Sequence, residues 1–139
     1  MSVAALAGSS RDEAAAALGA PIEGDLRLAL RRALDRQAQA FAAPGALDAT
    51  VHHPMLDMTG ADLLGHRVVD LTVHAWDLAR SLGGDEHLDP SLVAFAWESL
   101  RPIAPVIGQI GVFGTGPSGQ VGDDAPLAQR LLDLTGRRP

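Results

Sequence analysis

The chain contains no cysteine and no tyrosine, and its 11 basic residues are all arginine. Lysine and asparagine are missing as well. The absence of cysteine excludes disulfides, thiolate zinc sites and cysteine nucleophiles. Aromatic residues make up only 4% of the chain, so Ala, Leu and Val must supply most of any core. Basic clusters are scarce too: nothing exceeds Arg31-Arg32 or Arg137-Arg138, and the net charge is −6. A nucleic-acid partner is not expected, because phosphate binding needs a concentrated basic face. No apolar run approaches the roughly 20 residues of a membrane span, so no membrane partner is expected either. The opening MSVAALAGSSRDE lacks a positive stretch before its apolar one, and it is read as carrying no signal peptide. The expected location is cytoplasmic.

What is present reads as one domain of 139 residues, built mostly from helices. SVAALA at 2–7 is a short apolar fragment. DEAAAAL at 12–18 predicts a brief helix ended by Gly19 and Pro21. A strong helix is predicted over 25–42, capped by Asp25, with Leu26, Leu30, Ala33, Leu34 and Phe41 at helical spacing. Residues 43–59 form a connection, with TVHHP as a candidate edge strand. A second strong helix is predicted over 60–82. Thr59 and Asp62 form its capping box and Gly83-Gly84 its stop. Asp89 and Pro90 open a third helix, which Pro102 stops or kinks. The Pro- and Gly-rich segment 102–122 reads as a long connection that reverses the chain. A last helix is predicted over 124–135, with Asp123 or Asp124 as cap and Gly136 as stop.

The chemistry is concentrated in VVDLTVHAWDLAR, residues 68–80. Leu64, Val68, Leu71, Ala75, Leu78 and Leu82 form one apolar stripe, and Val69, Val73 and Trp76 a second. A helix this apolar is expected to be central and buried. It nevertheless carries Asp70, His74 and Asp77 on one side. Asp70 and His74 are about 6 Å apart along the axis, so their side chains can converge. A carboxylate and a neutral imidazole at i, i+4 make a half-site for a divalent ion. The plainer readings are an Asp70–His74 hydrogen bond, or Asp70 paired with Arg67. His66 lies about 12 Å from His74 along the axis, too far to share one ion. His52 and His53 lie in the extended connection and His87 in an exposed turn. No nucleophile–base–acid triad stands out among Ser81, Ser91, Ser99 and Ser118. IGVFGTGPSGQVG lacks the GK[ST] of a phosphate loop.

GHRVVDLTVHAWDLARSLG (65–83) resembles the mycothiol-dependent maleylpyruvate isomerase-like proteins of the DinB superfamily. The likeness extends to AFAAPGALDATVHHPM (40–55), LDPSLVAFAWESL (88–100), GVFGTG (111–116) and DDAPLAQRLLDLTGRRP (123–139). The resemblance implies an all-α, up-down-down-up four-helix bundle holding a divalent metal, usually zinc. It implies Asp70 and His74 as two of the metal ligands, with Asp where the isomerase has Glu. The family's third ligand is a histidine in an N-terminal segment that has no counterpart here. SVAALAG then corresponds to the tail of the family's second helix, and the expectation is an N-terminally truncated bundle. The implied partners are a small thiol such as mycothiol and an electrophilic substrate. The implied chemistry is isomerisation or thiol S-transfer. The alternative expectation is a non-catalytic helical module that forms a homodimer through an uncovered apolar face and keeps an incomplete metal site. A dimer in which a second copy supplies His52 or His53 would combine the two.

Overall fold

The computed structural model describes residues 2–16, 21, 24–53 and 56–139. The described chain is mostly helical, with one small two-stranded sheet. In chain order the elements are α1 (Ser2–Leu6), α2 (Arg11–Ala16), α3 (Leu26–Ala42), β1 (Thr50–His52) and β2 (Asp57–Thr59), then α4 (Gly60–Leu82), α5 (Pro90–Leu100), a 3₁₀ helix (Arg101–Gln109) and α6 (Leu127–Leu134). Contacts divide the chain into two compact units, Met1–His66 and Arg67–Pro139, and the division falls within α4. The expected ends of the brief second helix at Leu18 and Gly19, and the influence of Pro54 on His53, lie outside the described residues.

In the first unit, Asp25 caps α3 by accepting from the backbone N–H groups of Arg27 and Leu28. The helix spans the predicted residues, but Phe41 is the buried side chain in it. Leu26, Leu30 and Leu34 of its expected apolar stripe are exposed. β1 and β2 pair antiparallel with Val51 opposite Met58. Those two face inward while their strand neighbours are exposed, the period-2 alternation of a half-buried hairpin. They join Ala5, Phe41 and Leu63 in a small core. The sequence reading had β1 as an edge strand but missed β2, whose three residues are too few to display a pattern.

The junction of hairpin and helix is tightly determined. The N–H of Gly60 donates to Ala49 O at 3.0 Å, and that of Ala61 to Leu47 O at 2.9 Å. These bonds satisfy donors that a helix start otherwise leaves unpaired. A Cβ on residue 60 would lie 1.9 Å from Ala46 O, so this position needs glycine. The capping box forms as expected: Thr59 N–H donates to Asp62 Oδ2 and Asp62 N–H to Thr59 Oγ1, both at 3.1 Å.

In the second unit, α4 ends at Gly83, whose φ of +63° suits a residue without a side chain. Gly84 N–H then closes on Ala79 O at 2.8 Å. Asp89 caps α5 through the N–H groups of Ser91 and Leu92, with Pro90 in the first turn. Pro102 and Pro105 lack N–H donors, so the α-helical ladder cannot continue beyond Leu100. The chain tightens into the 3₁₀ helix where an open connection was expected. α6 starts at Leu127 rather than at 124, after Pro126 and with no side-chain cap. The reason is Ala125: a residue before proline is driven out of the helical region. Asp123 pairs with Arg130 instead of capping. Val69, Val93, Ala96, Leu100, Ile107, Leu131 and Leu134 form the core. The buried carboxylate of Asp133 accepts from the N–H of Ser118 and pairs with Arg138, pinning the Gly-rich segment to α6.

One expectation about α4 is corrected. Val69, Val73 and Trp76 are the buried arc, together with Thr72, whose hydroxyl donates to Val68 O. Leu64 of the longer stripe packs against the first core, but its later residues face outward, with Leu71 39%, Leu78 56% and Leu82 75% exposed. Periodicity marks both arcs as apolar, and the buried one carries Val69 into the cluster formed with α5 and α6.

Candidate functional site

Residues 67–77 of α4 place four polar side chains along one helix edge, because i, i+3 and i, i+4 positions are neighbours. Asp70 and His74 are brought together as the spacing predicts: Asp70 Oδ1 lies 3.3 Å from His74 Nε2. Their surroundings differ from expectation. The Asp70 side chain is 41% exposed and that of His74 is 59% exposed, so the pair lies at the surface rather than in a core.

Each member of the pair is held by a further group. A guanidinium N–H of Arg67 donates to Asp70 Oδ2, the i, i+3 pairing that the spacing also allows. His74 Nδ1 lies 2.9 Å from Asp77 Oδ2. Asp77 is itself clamped by Arg137, which donates to its two oxygens from Nε at 3.1 Å and from Nη2 at 2.6 Å. That bidentate bond, more than the His74 contact, holds the Asp77 carboxyl below the usual aspartate range. Asp77 is therefore an ionised acceptor. Arg137 comes from 60 residues along the chain, and nothing local in the sequence links it to Asp77.

Both imidazole nitrogens face carboxylates, so the tautomer sets which one donates. In the tautomer protonated at Nδ1, that nitrogen donates to Asp77, the shorter of the two contacts. In a neutral imidazole Nε2 is then a lone pair, and it faces a second carboxylate oxygen. In that tautomer the Nε2 lone pair and Asp70 Oδ1 are two donor atoms 3.3 Å apart, placed to face one cation. Two ligands about 2.1 Å from a tetrahedral ion stand about 3.4 Å apart, so this donor pair fits one edge of a zinc site. Among the described residues, no group of three His, Asp or Glu side chains converges to hold a metal. Asp77 does not supply a third ligand, because it faces Nδ1.

The other histidines lie elsewhere. His52 pairs with Asp57 at 3.1 Å on the hairpin, and Arg11 reaches the same carboxylate at 2.7 Å. The Arg11 and His52 hydrogen bonds hold Asp57 below its ordinary range. Burial, His66 and Arg11 together disfavour the charged form of His53. His87 is exposed, as expected, and borders an apolar groove of about 380 Å³ lined by Val68, Leu71, Thr72, Ala75, Leu88 and Leu92. That groove was not legible in the sequence, since it depends on how the 87–92 segment returns along α4. No described helix is long and apolar enough to cross a membrane.

No family model and no solved structure matches the chain. Two uncharacterized proteins of Mycobacterium tuberculosis, from strains CDC 1551 / Oshkosh and ATCC 25618 / H37Rv, are similar to it. Each is 32% identical over 105 residues, covering 71% of this chain and 54% of the relative. The chain thus spans about half the length of the curated relatives it matches.

Proposed function

We propose that Asp70 and His74 are two ligands of a divalent cation, zinc by the resemblance of residues 65–83, in a DinB-like protein of the mycothiol-dependent isomerase or thiol S-transferase type. The observation that carries the reading is the 3.3 Å approach of Asp70 Oδ1 and His74 Nε2, with the second polar atom of each group already engaged by Arg67 and Asp77. A ligating histidine normally donates its other N–H to a carboxylate, which fixes its tautomer and raises its basicity. Asp77 occupies that position, and Arg137 holds Asp77 in place. When bound, the metal would lower the pKa of a coordinated thiol so that it reacts as thiolate. Arg67 orients the Asp70 carboxylate, and surface exposure leaves the ion's remaining positions open to a small thiol and an electrophile.

The test is metal content by mass spectrometry of the wild type beside Asp70→Ala, His74→Ala and Asp77→Asn. Zinc should be retained by the wild type and lost from the two alanine variants. Asp77→Asn should weaken affinity by about 10- to 100-fold. Equal metal content in all four proteins would refute the assignment. A second reading, a non-catalytic self-associating module, is favoured by the exposure of Leu71, Leu78 and Leu82.

A further inference from the structure

The arginines divide by location. All seven outside α3 are ion-paired with a carboxylate. The four on α3, Arg27, Arg31, Arg32 and Arg36, are exposed, and among the described residues none of them has a carboxylate partner. Arg27 with Arg31, and Arg32 with Arg36, are like charges at i, i+4, which weaken a helix rather than support it. Asp35 is the one acid within the helix, and it pairs with none of them. The same helix leaves Leu26 64%, Leu30 56% and Leu34 40% exposed. These leucines recur every four residues and form a row about 12 Å long. Arg27 and Arg31 flank the row on one side and Arg36 on the other, with Asp35 and Arg32 further round the helix.

We propose that α3 lies along an anionic lipid surface, with its leucine row entering the boundary between head groups and acyl chains and its arginines binding lipid phosphates. Lying on a bilayer takes one amphipathic face rather than a spanning run. The proposal therefore agrees with the finding that no described helix can cross a membrane. One occupant accounts for both features of the helix: phosphate for the unpaired guanidinium groups, and hydrocarbon for the leucines. A guanidinium matches phosphate oxygens in a fork, and the arginine stems cover apolar surface while the charged ends reach outward. The charges stand on both sides of the row. A layer of lipid phosphates meets both sides without any register, whereas an acidic protein would need carboxylates at fixed points on each flank. Charge also fixes which part of the molecule approaches. Four arginines against one aspartate give α3 a net +3 within a chain of −6, so the rest of the chain, at −9, is repelled by the same surface. The proposal uses no residue of the Asp70–His74 pair and holds whether or not that pair takes a metal.

The test is co-sedimentation of the full chain with vesicles of phosphatidylcholine containing about one-third phosphatidylglycerol, beside vesicles of phosphatidylcholine alone. The chain should bind the anionic vesicles and not the neutral ones, and binding should fall as salt rises from about 0.1 to about 0.5 M. Arg27→Gln combined with Arg31→Gln should weaken binding at least about tenfold. Arg101→Gln removes an exposed arginine that is already paired with Glu98, and it should change binding no more than about twofold. The absence of native cysteine allows a single polarity-sensitive fluorophore to report depth. Attached at Leu30→Cys, it should shift to the blue on anionic vesicles. Attached at Leu28→Cys, on the opposite side of α3, it should not. Circular dichroism of each variant checks that it is folded, and both leucines are exposed in the free chain. Failure to bind anionic vesicles would overturn the proposal, and binding to an acidic peptide such as polyglutamate in its place would assign the arginines to a protein partner. Equal losses from the Arg27 and Arg31 pair and from Arg101 would reduce the effect to overall charge and overturn it too. An equal shift at Leu28 and Leu30 would overturn the orientation.

Discussion

The two units build their cores differently. In residues 67–139, α4, α5, the 3₁₀ helix and α6 all contribute buried side chains to one cluster. In residues 1–66 the longest helix, α3, contributes Phe41 near its C-terminal end, and a three-residue hairpin provides the centre of the core. α3 is therefore a helix specified by its cap and by helix-forming residues, with little burial behind it. The second unit is specified by packing. Amphipathic spacing is equally clear in both, so a stripe in the sequence does not reveal whether a neighbour covers it.

Substitutions can sharpen that contrast. The largest effect is expected at Leu131, fully buried in the second core: Leu131→Ala should cost about 3–4 kcal/mol in chemical denaturation. Leu30→Ala, on the exposed side of α3, should change stability by no more than about 0.5 kcal/mol. Similar losses from the two would remove the distinction between packed and unpacked helices. Next comes Gly60→Ala in the first unit. Its Cβ would overlap Ala46 O, a backbone atom that cannot rotate away, so a loss of about 2–3 kcal/mol is expected by thermal melting. A neutral result would mean that the hairpin–helix junction is not rigid.

The smallest effect is one that the two units should share. Asp62 and Asp89 cap α4 and α5, and the hydrogen bonds each accepts hold both carboxyls below the ordinary aspartate range, led by the Thr59 hydroxyl at Asp62 and the Ser91 hydroxyl at Asp89. A depressed folded-state pKa means that each contribution is complete above the ordinary aspartate value and disappears as pH falls through the lower, folded one. Stability of the wild type minus that of Asp62→Asn should therefore be flat from pH 7 to about 5 and shrink below about pH 4. The Asp89→Asn difference should follow the same course. A difference that grew on acidification would reverse the sign assigned to the caps.

Much of the local structure was legible in the sequence because its causes are local. Asp25, Thr59 with Asp62, Gly83 and Asp89 mark helix ends through bonds within three or four residues, and all act as read. What escaped depends on distant parts of the chain. The choice of buried arc on α4 is a tertiary one, with Val69 entering a core shared with Val93 and Leu131. The anchoring of Ser118 by Asp133 spans 15 residues, and the clamp of Asp77 by Arg137 spans 60. The candidate site shows both kinds of information. The i, i+4 juxtaposition of Asp70 and His74 follows from helix geometry, whereas their exposure and the guanidinium behind Asp77 follow from tertiary packing.

The close approach of Gly60 to Ala46 O has an evolutionary consequence. Any descendant that keeps this hairpin against this helix start can vary the strand residues and the cap, but it has no side chain to choose from at that point. Loss of the glycine should therefore coincide with an insertion or deletion in the 43–49 turn. Paired changes of that kind would date the junction more reliably than drift along the Asp70–His74 edge of α4, where Asp and Glu can exchange without moving the backbone.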